Sequence, residues 1–85
     1  MSVLDSVRLA VVTRFEEVAR EQKKTLAPLS DDLVLLDSGL DSLCLAIIVA
    51  RLEDALGVDP FSTAEDADFP VTLRDFIRLY EDAVA

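Results

Sequence analysis

Between Gly39 and Gly57 the chain spells out a helix with both ends marked. Gly39 permits a tight turn, Asp41 has the short carboxylate of a good N-cap, and Ser42 becomes the first helical residue. At the far end Gly57 can take the left-handed position that closes a helix, and Pro60 prevents continuation. Leu40, just before the cap, is placed to meet Leu45 as a hydrophobic staple. The predicted helix runs from about Ser42 to Leu56. It sets one hydroxyl beside unpaired backbone N–H groups at the positive end of a helix dipole, a setting that suits a phosphate ester.

The other segments also carry helical signals. Leu4, Val7, Val11, Phe15 and Val18 repeat at the spacing of one helical face and predict an amphipathic helix over about Ser2 to Lys24. Ser2 can cap it, with Asp5 in the first turn and Lys23-Lys24 in the last, matching the dipole at both ends. From Thr25 to Asp41 no period is sustained, yet Leu26, Leu29, Leu33, Leu35, Leu36 and Leu40 recur, which predicts an ordered crossover pinned across the core. Ser62-Thr63-Ala64-Glu65 has the serine and glutamate spacing of a capping box and predicts a short helix. The last helix should start after Pro70 with Thr72 as cap, Asp75 at its third position and Val71 and Phe76 as a staple, burying Leu73, Phe76, Ile77, Tyr80 and Val84. Strand alternation and internal repeats are both missing, so the expected fold is all-α. It is a small four-helix bundle of three longer helices and one short one, with a long ordered crossover between the first two.

Composition narrows what such a bundle can do. At 85 residues the chain allows one modest core and reads as a single domain over residues 1–85. Seventeen acidic against eight basic residues repel nucleic-acid phosphates and anionic lipid, and favour basic protein partners. After residue 24 the only cations are Arg51, Arg74 and Arg78, so an electrostatic docking face would lie beyond the first helix. One cysteine and no histidine remove a disulfide framework, the usual zinc ligands and any histidine-based general base. Leu43–Ala50 is too short to cross a bilayer, and Asp5 and Arg8 interrupt the stretch a signal peptide needs, so the reading is a cytoplasmic protein without a membrane partner.

The predicted central helix carries two apolar stripes. Leu45, Ile48, Val49, Leu52 and Leu56 share one face and should enter the core. Leu43, Ala46, Ile47 and Ala50 form a second stripe rotated outward, where a surface helix is normally polar. That stripe is either a docking surface or covered by the crossover or the third helix. Glu53 and Asp54 near the helix end could steer a basic partner onto it. Cys44, in the first turn beside Asp41, reads as a small apolar residue and not a reactive thiol.

The run Leu36-Asp37-Ser38-Gly39-Leu40-Asp41-Ser42-Leu43, followed by an apolar helix ending Arg51-Leu52-Glu53-Asp54-Ala55-Leu56-Gly57, resembles the acyl carrier protein family. The likeness covers essentially the whole chain, as a standalone carrier. It implies that Ser42 is esterified with 4′-phosphopantetheine by a phosphopantetheinyl transferase using coenzyme A and magnesium. Asp41 then serves as cap and in recognition by the transferase. It implies a monomer that is not an enzyme: acyl or aminoacyl intermediates ride as thioesters on the arm, at high effective concentration for the enzymes that use them. The lack of histidine fits, because the base and metal would come from the transferase. The resemblance also makes the second helix the recognition helix, with Leu43, Ala46, Ile47, Ala50, Glu53 and Asp54 meeting the acyl- or aminoacyl-loading ligase or synthase partners. Carriers of primary fatty-acid synthesis have more acids in its first turns, where this chain has Cys44, Ile47 and Arg51. The more apolar contact is similar to carriers of polyketide, nonribosomal-peptide or related specialised pathways. The rival reading is an unmodified acidic helical adaptor binding a partner through the same helix.

Overall fold

The computed structural model describes residues 3–60 and 70–84. It has three α-helices, α1 (Val3–Glu21), α2 (Ser42–Leu56) and α3 (Leu73–Val84), and a 3-10 turn at Leu35–Asp37. The only β-type pairing among the described residues is an isolated bridge between Val34 and Thr72. The short helix expected at Ser62-Thr63-Ala64-Glu65 lies outside the described residues, as does the Ser2 cap. The four-helix expectation therefore becomes three helices and one 3-10 turn in the described parts.

α1 packs against both α2 and α3. Val7, Val11, Phe15 and Val18, spaced along one face, are buried, and Ala19 joins them. Phe15 meets Phe76 of α3 edge to face at 5.5 Å between centroids, and Phe76 stacks at a tilt on Tyr80 at 5.3 Å. Leu45, Ile48 and Leu52 of α2 complete this core, with Cys44 also buried. Val49 and Leu56, expected on the same face, are half-buried at its margin.

The first helix stops short of the expected Lys24. Lys23 turns left-handed at φ 56°, its N–H bonds the Arg20 carbonyl at 3.2 Å, and the Lys24 N–H bonds the Ala19 carbonyl at 2.8 Å. Those two bonds make a Schellman closure, which satisfies the terminal carbonyls and sends the chain off the helix axis. The two lysines therefore follow the last turn, where Arg20 sits instead.

The crossover is ordered at both ends of its course. Its beginning clasps the loop before α2: the Ala27 N–H bonds the Ser38 carbonyl at 2.9 Å. A Cβ on Gly39 would stand 2.1 Å from the Thr25 carbonyl oxygen, so only glycine allows this approach, and φ 96° there favours glycine as well. Its second half is stitched to the entry of α3 by Leu35 N–H to Val71 O at 2.8 Å, Leu73 N–H to Leu33 O at 2.9 Å and Arg74 N–H to Asp31 O at 3.1 Å. Leu35 and Leu40 are buried, and Leu26, Leu29 and Leu33 pack partly on the core. Leu36 departs from the expected pinning at 81 % exposure. Adjacent residues in a tight turn point in different directions, so Leu35 and Leu36 cannot both face inward.

α3 begins as expected, with the Thr72 hydroxyl accepting from the Asp75 N–H at 3.2 Å. The expected staple is not closed, since Val71 is 61 % exposed while Phe76 is fully buried. None of the described helices is long and apolar enough to cross a membrane.

Candidate functional site at the start of α2

Asp41 ends the crossover in an extended conformation, and its Oδ1 accepts from the Cys44 N–H at 2.9 Å. The Leu45 N–H takes the Asp41 carbonyl at 3.1 Å. The amides of Ser42 and Leu43, in the first turn ahead of that bond, have no intrahelical acceptor by the geometry of a helix start. Leu40 and Leu45 are both buried on either side of the cap, as a staple requires. At the other end Gly57 is left-handed at φ 71° and its N–H bonds the Glu53 carbonyl at 2.8 Å. The bounds of α2 are those that the residue types predict.

The same loop holds two serines in opposite settings. Ser38 is wholly buried; its hydroxyl donates to the Leu35 carbonyl at 2.6 Å and accepts from the Leu40 N–H at 3.3 Å. It shapes the turn and is closed to chemistry. Ser42 is exposed, and among the described residues no partner holds its hydroxyl. A phosphate ester there would lie in solvent at the open end of a helix, beside N–H donors and the favourable end of the dipole. The site therefore has the access and the donors that suit a phosphate ester.

Charges around the serine are arranged by two elements. The Cys44 N–H bonded to Asp41, with help from Lys24, holds the Asp41 carboxyl below the usual carboxylate range. Lys24 Nζ stands 3.8 Å from Asp41 Oδ2, a position that follows from the turn at the end of α1. Burial, with the Asp41 carboxylate nearby, pushes the Cys44 thiol up, so it stays protonated and packs as an apolar group. Further along α2, Arg51 bonds both carboxylate oxygens of Glu21 at 2.6 and 2.7 Å, tying the helix to the end of α1.

Of the expected partner surface, Leu43 is 63 % exposed, and Ala46, Ala50, Glu53 and Asp54 are exposed as well. Ile47 is half-buried and packs on the core, so it offers only part of its side chain. The sequence reading missed Leu36, which walls two apolar hollows. One, of about 210 Å³, is lined by Leu36, Ser42, Leu45 and Ala46. The other, of about 280 Å³, is lined by Val34, Leu35, Leu36, Pro70 and Val71. The signal for Leu36 was the pair of consecutive leucines, of which one must turn outward.

The chain thus leaves one serine accessible at a capped helix start, above a small helical core. A family model for a phosphopantetheine attachment site matches residues 10–79, which takes in all of α2, the crossover and most of α1 and α3. The chain belongs to that family. No curated protein and no solved structure matches it. Proteins of the family carry 4′-phosphopantetheine covalently on a serine and meet phosphopantetheinyl transferases and biosynthetic enzymes.

Proposed function

We propose that Ser42 is the serine that carries 4′-phosphopantetheine, and that residues 1–85 form one carrier domain without catalytic activity of its own. The observation that carries this reading is the contrast between the two loop serines, one buried and doubly bonded, the other exposed at the capped start of α2. The arm supplies a flexible chain ending in a thiol that holds an acyl or aminoacyl group as a thioester. The protein's own part is to present the hydroxyl. Asp41 fixes the first turn of α2, Ser38 and Gly39 fix the loop that delivers Ser42, and the core holds α2 against α1. In the loading step a bond forms between Ser42 Oγ and the pantetheine-side phosphorus of coenzyme A. The pyrophosphate linkage breaks, its nucleotide half leaves, and the serine proton goes to a base on the transferase.

On this reading Leu43, Ala46, Ala50 and the outer part of Ile47 meet partner enzymes, with Glu53 and Asp54 steering basic surfaces toward them. The apolar character of this face favours a carrier of polyketide, nonribosomal-peptide or related specialised biosynthesis, loaded by a dedicated acyl or aminoacyl ligase. A monomer working in the cytoplasm fits partners that must reach the same serine in turn.

Intact-protein mass spectrometry tests the assignment after incubation with coenzyme A, magnesium and a broad-specificity transferase. Wild type should gain one phosphopantetheine and Ser42→Ala none, with both variants equally folded. No gain on wild type, under conditions that load a control carrier, would return the unmodified adaptor as the better reading.

A further inference from the structure

We infer that Lys24 is a positioning residue for the arm: once Ser42 is esterified, the Lys24 ammonium pairs with the phosphodiester and ties the root of the arm to the end of α1. This rests on Ser42 being the attachment point. The ester adds a negative charge one residue from the Asp41 carboxylate, and the first turn of α2, Ser42 to Leu45, carries no charged side chain to offset it. The compensating cation has to come from another element.

The backbone brings Lys24 to this place. The left-handed turn at Lys23 and the bond from the Lys24 N–H to the Ala19 carbonyl, at 2.8 Å, fix where the chain leaves α1. Thr25, the next residue, lies against Gly39, three residues before Ser42, and the Ala27 N–H holds the same approach through the Ser38 carbonyl at 2.9 Å. The ammonium thereby stands 3.8 Å from Asp41 Oδ2, while Asp41 Oδ1 is taken by the Cys44 N–H. At 3.8 Å this ion pair is too long for a hydrogen bond, so the ammonium donors are not committed to Asp41. The Lys24 side chain is 41 % exposed, which leaves its flexible stem free to swing to the adjacent residue. The arginines that join elements on α2 and α3 are engaged elsewhere, Arg51 by Glu17 and Glu21 and Arg74 by Asp31 and Asp32.

Phosphorus NMR of the loaded full-length protein tests the pairing, with mass spectrometry confirming one phosphopantetheine per chain. The phosphorus resonance of wild type should be displaced from its position in the same protein unfolded in urea. Lys24→Gln should move it back toward the unfolded position, and Lys24→Arg, which keeps the charge, should not. Lys23→Gln, which removes the neighbouring exposed charge, should leave it in place. In carbon-labelled wild type, the Lys24 carbon that bears the ammonium should also shift on loading. Identical phosphorus resonances in loaded wild type and Lys24→Gln would overturn the inference and leave the carrier reading intact. A Lys24→Arg resonance that follows Lys24→Gln would overturn it as well, since side-chain packing and not charge would then be the cause. An equal effect of Lys23→Gln would do the same, because overall charge would suffice. Failure of wild type to gain the mass, under conditions that load a control carrier, would overturn the carrier reading and this inference together.

Discussion

Leu43 and Leu52 belong to the same helix, yet Leu43 is 63 % exposed and Leu52 is wholly buried. The division runs the length of α2. Cys44, Leu45, Ile48 and Leu52 face the aromatic cluster of α1 and α3, whereas Leu43, Ala46 and Ala50 face outward. Hydrophobicity alone does not explain a side chain's fate here. The inner face is fixed by what packs against it, and the outer face remains uncovered at the end that bears Ser42. A segment laid over Leu43 would also obstruct the serine beside it. Asp37 and Asp41, close in sequence to this surface, and Glu53 and Asp54 further along α2 are exposed as well, so charge interrupts the apolar residues left in solvent.

The sharpest way to break this contrast is to truncate both faces. Leu52→Ala should cost about 2–5 kcal/mol by urea denaturation, a large share of the roughly 5–15 kcal/mol typical of a whole domain. Leu43→Ala should stay within about 0.5 kcal/mol of wild type. Equal losses would show that the two faces are not energetically distinct.

A second contrast concerns the glycines at the two ends of the site helix. A Cβ at Gly57 would meet nothing within 4 Å, so Gly57→Ala should cost only the left-handed backbone, about 1–2 kcal/mol. Gly39→Ala should cost more, because its methyl would collide with the Thr25 backbone carbonyl and push the Ser42 loop away from the crossover. It should also slow phosphopantetheine loading. A Gly39→Ala protein as stable and as readily loaded as Gly57→Ala would remove the clasp from the account of how the site is held.

Acid should act on the polar periphery and spare the apolar core. The Cys44 N–H holds Asp41 low, the Arg8 hydrogen bond holds Asp31 low, and the Arg51 hydrogen bond holds Glu21 low. A carboxylate held below its ordinary value adds stability that is present above the unfolded value, about pH 4, and lost as pH falls through the folded one. Thermal midpoints should therefore fall from about pH 5 downward. Asp41→Asn keeps a side-chain oxygen for the cap but no titrating group, so its midpoint should fall less steeply. Parallel curves for the two proteins would mean that Asp41 ionisation does not contribute.

The smallest effect is expected from Arg51→Gln, which removes an ion pair that joins α2 to α1 at the exposed side of the helix. Its thermal midpoint should lie just below wild type in dilute buffer. The difference should vanish in roughly 1 M salt, where screening is about 3 Å in range.

Sequence by itself determined α2 from Ser42 to Leu56, because its cap, staple and terminator are local interactions that residue types specify without help from the rest of the fold. It determined the buried faces of α1 from Val7 to Val18 and of α3 from Leu73 to Tyr80 through their helical period, although Val84, expected on the same face, is only half-buried near the helix end and the side chain of Leu4 lies outside the described residues. It also singled out Ser42, whose hydroxyl, cap and glycine turn all lie within four residues. It did not determine where α1 ends, since the Schellman closure at Lys23 uses a residue with no special preference for a left-handed backbone. Nor did it separate Leu35 from Leu36, or Ile47 from Ala46, because neighbours of similar character are sorted only by which element lies opposite them. The approach of Thr25 to Gly39 and the hollows on either side of Leu36 arise from segments distant in sequence, Val34–Leu36 and Pro70–Val71 among them. Local chemistry writes the serine and its helix; long-range packing decides what surrounds them, because contacts between distant segments are set by the closed fold and leave no periodic mark in the chain.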